Sequence, residues 1–371
     1  MVEDKEAISL SEVASNVEYI QLETSENCML RRKVKYCFTD SLIFVVNFDH
    51  ILKFSYTGKF LDKIGKPGRG PNEINVIDII SIIPDKKLIV AHNIKSNSES
   101  DLIYFSFNGD IVKTVPSHNI GSVKVMNDGR YIVYNPGEEV SPKYTFRLSN
   151  ESGDTLSVIE NRSNWEHTPE MRFGFGIFSF KPFYLYNNTY FLKDMYNDTV
   201  YFVHENTIKP GYFVHLGKYR LPDNLRPEKL GARKIQSFIE KTSDFFVVHT
   251  FEAAGKIFLT SSNYKDEDPK YILYDKATIR GNLLVDKAGV PSGFINDLDG
   301  GTNFWPIGSI NDYKVFMPIN ILDFQKALEK NKSTPISAKF PEKGRELKKK
   351  VTDLNITDNP IIMVITLKNR Q

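Results

Sequence analysis

Cysteine is nearly absent: Cys28 and Cys37 are the only two in 371 residues. Two cannot build a disulfide framework, and Cys-x8-Cys with no histidine or further cysteine nearby is not a zinc spacing. A single bridge stays open, but two buried thiols in strands are the expectation. No apolar run approaches the ~20 residues that a membrane-crossing helix needs. Charge of one sign is also missing: 48 Lys and Arg against 46 Asp and Glu leave a formal net charge of +2. No global field therefore draws the chain to nucleic acid or to an anionic membrane. His50, His92, His204, His215 and His249 are scattered without ligand spacing, so no metal and no cofactor are expected. There is no Gly-x-Ser-x-Gly nucleophile elbow. Met1-Val-Glu-Asp-Lys5 lacks the basic and then apolar pattern of a signal segment, and reads as a methionine set before an acidic, already mature segment.

The sequence is rich in short aromatic and β-branched runs, with 26 Phe and 18 Tyr. These runs recur as one phrase: strand, polar turn, second strand, glycine turn. Leu42–Val46, Ile51–Phe54, the turn Tyr56-Thr-Gly-Lys59 and Phe60–Ile64 give the first instance. Leu88–Val90, Leu102–Phe105, the turn Phe107-Asn-Gly-Asp110 and Ile111–Val115 give the second. Tyr131–Tyr134, Tyr144–Leu148, the turn Glu151-Ser-Gly-Asp154 and Thr155–Ile159 give the third. Three looser copies follow. Aligned on Phe44, Ile89, Ile132, Phe191, Phe258 and Phe316, the units step by 45, 43, 59, 67 and 58 residues. The first two steps fit a four-stranded blade of ~40–50 residues, and the later ones fit blades with insertions. Alternating strands joined by Gly turns are hairpin chemistry, because Gly takes positive φ without penalty.

Six such units predict an all-β, six-bladed β-propeller forming one domain over residues 1–371. The blades are expected near 31–64, 76–115, 120–160, 176–216, 244–286 and 305–367. The last of them is one strand short. Val17-Glu-Tyr-Ile-Gln-Leu22 alternates like a strand and has no hairpin partner nearby, so it is expected to complete the last blade and close the ring. A two-domain sandwich would not repeat one phrase six times. Helical insertions are expected at Ile321–Lys330, with Leu322, Phe324 and Leu328 as its stripe, and at Glu342–Leu354. A third is expected at Pro227–Lys241.

Phe54-Ser-Tyr-Thr-Gly-Lys-Phe-Leu-Asp-Lys-Ile-Gly65, followed by Gly68-Arg-Gly-Pro-Asn-Glu73, resembles the NHL-repeat type of blade. The whole chain is similar to the six-bladed propeller family abundant in Bacteroidota. Ile20–Thr24, Gly211–Gly217, Asn296–Gly301 with Phe304-Trp-Pro306, and Asp358–Val364 carry that likeness nearly end to end. Where the family usually places Gly before the Glu, this chain has Asn72, which also tolerates positive φ. The resemblance implies the fold and an exported protein of the cell envelope, often with a lipid anchor on the precursor. It implies no reaction.

In a propeller, the loops from each outer strand to the next inner strand share a face with those between second and third strands. All the long connections here fall on that face, which is where a rigid scaffold usually carries its binding residues. Candidate residues follow from it. Arg69 lies in the Gly65–Glu73 turn, where Glu73 is expected to pair with it rather than the loop cradling phosphate. Trp165, His167 and Arg172 concentrate in one loop, with His118 at the mouth of blade three. Asp297 and Asp299 beside Trp305 would suit a sugar, whose apolar face stacks on an aromatic ring while carboxylates take its hydroxyls. A tight turn bonded by its own Asn and Asp side chains competes with that reading. The function expected is a binding module for a glycan, peptide or protein. The alternative is a hydrolase or lyase acting on a sugar or lactone in the central channel.

Overall fold

Twenty-four strands of a computed structural model fall into six four-stranded antiparallel sheets arranged as the blades of a β-propeller. The structure describes residues 4–31, 34–70, 72–96, 99–117, 121–135, 143–161, 181–195, 197–222, 240–263, 269–333 and 338–369. From the axis outward, blade one is Lys35–Phe38, Leu42–Val46, Ile51–Ser55 and Phe60–Ile64. Blade two is Val76–Ile83, Leu88–Ile94, Ser100–Ser106 and Ile111–Ser117. Blade three is Ser122–Val125, Tyr131–Tyr134, Tyr144–Ser149 and Thr155–Glu160. Blade four is Phe183–Tyr186, Thr189–Lys193, Thr199–His204 and Thr207–Phe213. Blade five is Phe246–Ala253, Lys256–Asn263, Lys270–Asp275 and Arg280–Leu284.

Blade six is built from both ends of the chain. Gly308–Ser309, Lys314–Ile319 and Ile361–Leu367 are completed on the outside by Ala14–Gln21, which pairs from Ala14 opposite Leu367 to Gln21 opposite Ile361 with a register shift between Ala14 and Asn16. The expected closing strand is therefore present and begins three residues earlier than Val17. A second N-terminal piece was not legible beforehand: Lys5–Glu6 adds in parallel to the outer edge of blade five, against Leu283 and Leu284. Between the two, Leu10–Val13 forms a single helical turn, its start closed by the Ser9 N–H donating to Glu12 Oε1 at 2.8 Å. The first residues thus strap two neighbouring blades.

Turn chemistry sets the hairpins. Gly58, Gly109 and Gly153, the glycines of the three repeated turns, all adopt φ near +90° (90, 92 and 96). Each is followed by a register shift where the outer strand resumes, the bulge that such loops produce. Connections on that face are two to five residues long, whereas the opposite face carries the spans 214–245 and 320–360.

Since the blades are radial, the core is divided among their junctions. Phe44, Val46 and Ile64 of blade one pack on Ile77, Ile89 and Phe105 of blade two. Equivalent clusters lie between the other blades. The largest joins blades five and six and takes in the helices Ile321–Ser333 and Pro341–Thr352 through Ile321, Phe324, Leu347 and Val351. Leu322, expected in the first helix's buried stripe, is 42% exposed; Ile321 takes that place. The helix expected at Pro227–Lys241 falls largely outside the described residues. Both cysteines are free. Cys37 lies in a strand as expected, but Cys28 sits buried in a turn, with Sγ 3.1 Å from the Glu23 carbonyl.

Candidate functional site: the propeller axis and its rim

His118, Trp165, His167 and Arg172 lie outside the described residues. Arg69 is exposed in its turn. The expected Arg69–Glu73 pair does not form: Glu73 pairs instead with Lys66 at 2.7 Å and accepts the Gly70 N–H at 2.8 Å. The reason is local, because Lys66–Pro67 bridges in parallel with Glu73–Ile74 and brings the lysine alongside. Lys66, the larger influence, and the backbone N–H groups of Gly70 and Arg69 hold the Glu73 carboxyl below the ordinary carboxylate range. Asn72 takes φ +64°, as its substitution for Gly requires.

The Asp297, Asp299 and Trp305 groups are close in the fold and face inward. Asp297 accepts the Ser11 N–H at 2.8 Å and its hydroxyl at 2.5 Å, tying the N-terminal strap to blade five's exit. Asp299 is 5% exposed and accepts from Asn296 Nδ2 at 2.7 Å and the Gly301 N–H at 2.9 Å, the internally bonded turn that competed with a sugar site. A helix closes over this turn: a Cβ on Gly344 would stand 2.2 Å from the Asp299 carbonyl oxygen, so only glycine permits the approach. Burial and then the Asp299 charge raise the Tyr19 hydroxyl well above its ordinary pKa. Trp305 is 5% exposed, stacked on Phe294 and in edge contact with Phe258, and its Nε1–H donates to Thr260 Oγ1 at 2.8 Å. Its ring belongs to the core between blades five and six.

A cluster that sequence reasoning missed lies at the axis. Inner strands have no neighbour on their inward edge, so their free carbonyls and the side chains beside them line the channel. Lys124, on blade three's inner strand, donates from Nζ to the Ile80 carbonyl of blade two at 3.1 Å. Lys181, two residues before blade four's inner strand, donates to the Ile307 carbonyl beside blade six at 2.7 Å. Cys37 of blade one feels the charges of Lys124, Lys181 and Lys35, after burial, which raises its thiol pKa. His249 of blade five is pushed down to about 4 by burial first and then by Lys181 and Lys193. Burial also lowers Lys124, and brings Lys181 down to about 8 with Lys35 adding repulsion. Yet Lys181 is exposed to solvent, and Lys124, Cys37 and His249 are half-buried.

Blades four and five meet through a buried polar network. Glu252, fully buried, accepts from Tyr184 Oη at 2.9 Å and from Lys276 Nζ. Tyr184 and Tyr212 hydroxyls lie 2.9 Å apart, and Tyr212 reaches Thr250 Oγ1 at 3.1 Å. Burial, then neighbouring charge, raises both phenols far above their ordinary range. This network fills a junction whose apolar cluster is small. Among the described residues, no group of three or more His, Cys, Asp or Glu is arranged to hold a metal ion, and no helix is long and apolar enough to cross a membrane.

The model of a family described as a domain of unknown function (DUF4934) matches residues 1–366. A solved structure from Bacteroides fragilis, of a protein presumed to be exported, is similar at a TM-score of 0.73 and 16% identity, covering 99% of each chain. A member of the DUF4221 family from Bacteroides vulgatus is a looser likeness, with a TM-score of 0.48 and 11% identity over 96% of this chain and 97% of that one. No curated protein matches the sequence.

Proposed function

We propose that this chain, which belongs to the DUF4934 family, is a binding module of the cell envelope that holds a glycan, peptide or protein on the face where its long connections emerge. The observation that carries the reading is the asymmetry of the ring. One face has only turns of two to five residues, while the other carries every long excursion, including both long helices. A propeller is a rigid frame, and irregular segments displayed on such a frame are where recognition is usually placed. Between Glu160 of blade three and Phe183 of blade four the sequence holds Trp165, His167 and Arg172, residue types suited to stacking on a sugar ring and to clamping a carboxylate. Likeness to a Bacteroides protein presumed exported supports the envelope as the compartment, with a lipid anchor on the precursor. The hydrolase or lyase reading has less behind it, since Asp297 and Asp299 are engaged by Ser11, Asn296 and Gly301.

A thermal-shift screen against oligosaccharides and short peptides tests the reading. A ligand at about a hundredfold excess over Kd adds ~2.7 kcal/mol to stability. A hit lost in Trp165→Ala or Arg172→Ala places the ligand on this face. A hit indifferent to both variants overturns that placement. A blank with both ligand classes rejects glycan and peptide and leaves only a protein partner.

A further inference from the structure

We propose that the axial lysines form a binding site for a tetrahedral oxyanion, phosphate or sulfate, free or as the charged end of a larger ester. Lys124 and Lys181 come from blades three and four and reach toward blades two and six, so their ammonium groups approach the axis from different sides. Each donates one hydrogen bond, to a backbone carbonyl rather than to a carboxylate, which leaves further N–H donors on each nitrogen. Lys35 and His249 lie on the inner strands of blades one and five, Lys35–Phe38 and Phe246–Ala253. Among the described residues, no carboxylate figures in the charges acting on Lys124, Lys181 or Cys37.

Like charges gathered in a partly desolvated passage destabilise the empty protein, and a multivalent anion is the counter-charge that relieves them. Several point-charge donors from different directions suit a tetrahedral oxyanion better than a planar carboxylate, which is matched by the guanidinium fork of Arg. Lys181 remains largely protonated at neutral pH, because burial takes it only to about 8. These lysines belong to the inner strands and the axis, so the anion site stands or falls separately from any ligand of the outer loops.

Isothermal titration of the full chain with sodium phosphate in low-salt Tris chloride is the test, with competition by sulfate. One saturable site per chain, displaced by sulfate and indifferent to an equal ionic strength of chloride, is expected. Lys124→Gln and Lys181→Gln should each weaken binding tenfold or more, while Lys349→Gln, exposed on the helix Pro341–Thr352, should not change it. Circular dichroism checks that the variants fold, and if one does not, the wild-type stoichiometry and sulfate competition decide alone. No saturable heat, several weak sites per chain, or unchanged affinity in both folded axial variants would overturn the proposal. A sugar phosphate binding more tightly than inorganic phosphate identifies the anion as part of a larger ligand, and the reverse order identifies the free ion; both uphold the site.

Discussion

Lys193 gives the protein an unusual dependence of stability on pH. The side chain is 3% exposed, and Nζ donates to the carbonyls of Asp194, at 2.6 Å, and Asn197. Burial outweighs the help of the Asp194 and Asp198 charges and lowers its pKa from 10.5 to about 8. Below pH 8 the folded and unfolded chains both carry this proton, and the cost of burying the charge is fully present. Between 8 and 10.5 the unfolded chain binds a proton that the folded chain has released, so stability rises with pH across that window. The whole gap is worth about 3 kcal/mol, of which about 2 kcal/mol should appear between roughly pH 7.5 and pH 9.5. Lys181 adds in the same direction. Toward pH 10 the trend reverses, because the Cys37 thiol and the buried tyrosines Tyr19, Tyr36, Tyr184, Tyr190 and Tyr212 keep protons that the unfolded chain loses. The assay is urea unfolding followed by tryptophan fluorescence at stepped pH, for the wild type and Lys193→Met. The wild type should be most stable near pH 10, and the variant should lose much of the alkaline gain. A flat or falling wild-type profile from pH 7.5 to 9.5, or a variant that keeps the full slope, would refute the reasoning.

Other expectations follow from single contacts. Trp305→Ala removes a ring packed on Phe294, Phe258 and Tyr271 and leaves Thr260 without its donor, so stability should fall by about 3–5 kcal/mol, read as a lower urea midpoint. Gly58→Ala sets a Cβ 2.0 Å from the Gln21 carbonyl oxygen at φ +90°. It should cost more than ~1 kcal/mol and speed hydrogen exchange of Ala14–Gln21, while amides of blade three keep their protection. His249, held at about 4, should show no imidazole titration in NMR spectra between pH 8 and 5.5. Its contribution to stability is lost as pH falls from about 6.5 through 4, because the unfolded chain takes up the proton first.

The blades were legible because hairpins are local: Thr57-Gly58, Asn108-Gly109 and Ser152-Gly153 each announce a turn whose chemistry involves only its own neighbours. Closure by the N-terminal strand was legible by counting, since a blade with three strands leaves one edge bare. Lys5–Glu6 was not, because two residues carry no alternation to read. The axial cluster was invisible for another reason. Lys124, Lys181 and His249 are separated by dozens of residues, and in a short strand such as Ser122-Val-Lys-Val125 a lysine reads as an ordinary solvent-facing position. Only the closed ring makes the inner edges share one space. A lysine on or just before more than one inner strand was the sole sequence signal. For Asp297 and Asp299, spacing alone could not separate a ligand site from a turn, and the contacts that engage them come from distant sequence: Ser11 and the helix carrying Gly344.

The two-ended blade also imposes an order in time. Ser15 and Thr366 are hydrogen-bonded across 351 positions of sequence, and closing a loop of that length costs about 5 kcal/mol of chain entropy before any contact repays it. Five blades consist of neighbouring hairpins that can form soon after they are made, whereas the sixth must wait for Ile361–Leu367. During synthesis, Ala14–Gln21 appears before any of the five local blades and is the last to find its partner. Until then it is an unpaired edge, open to pairing with another chain, and the final folding step is the one that removes it.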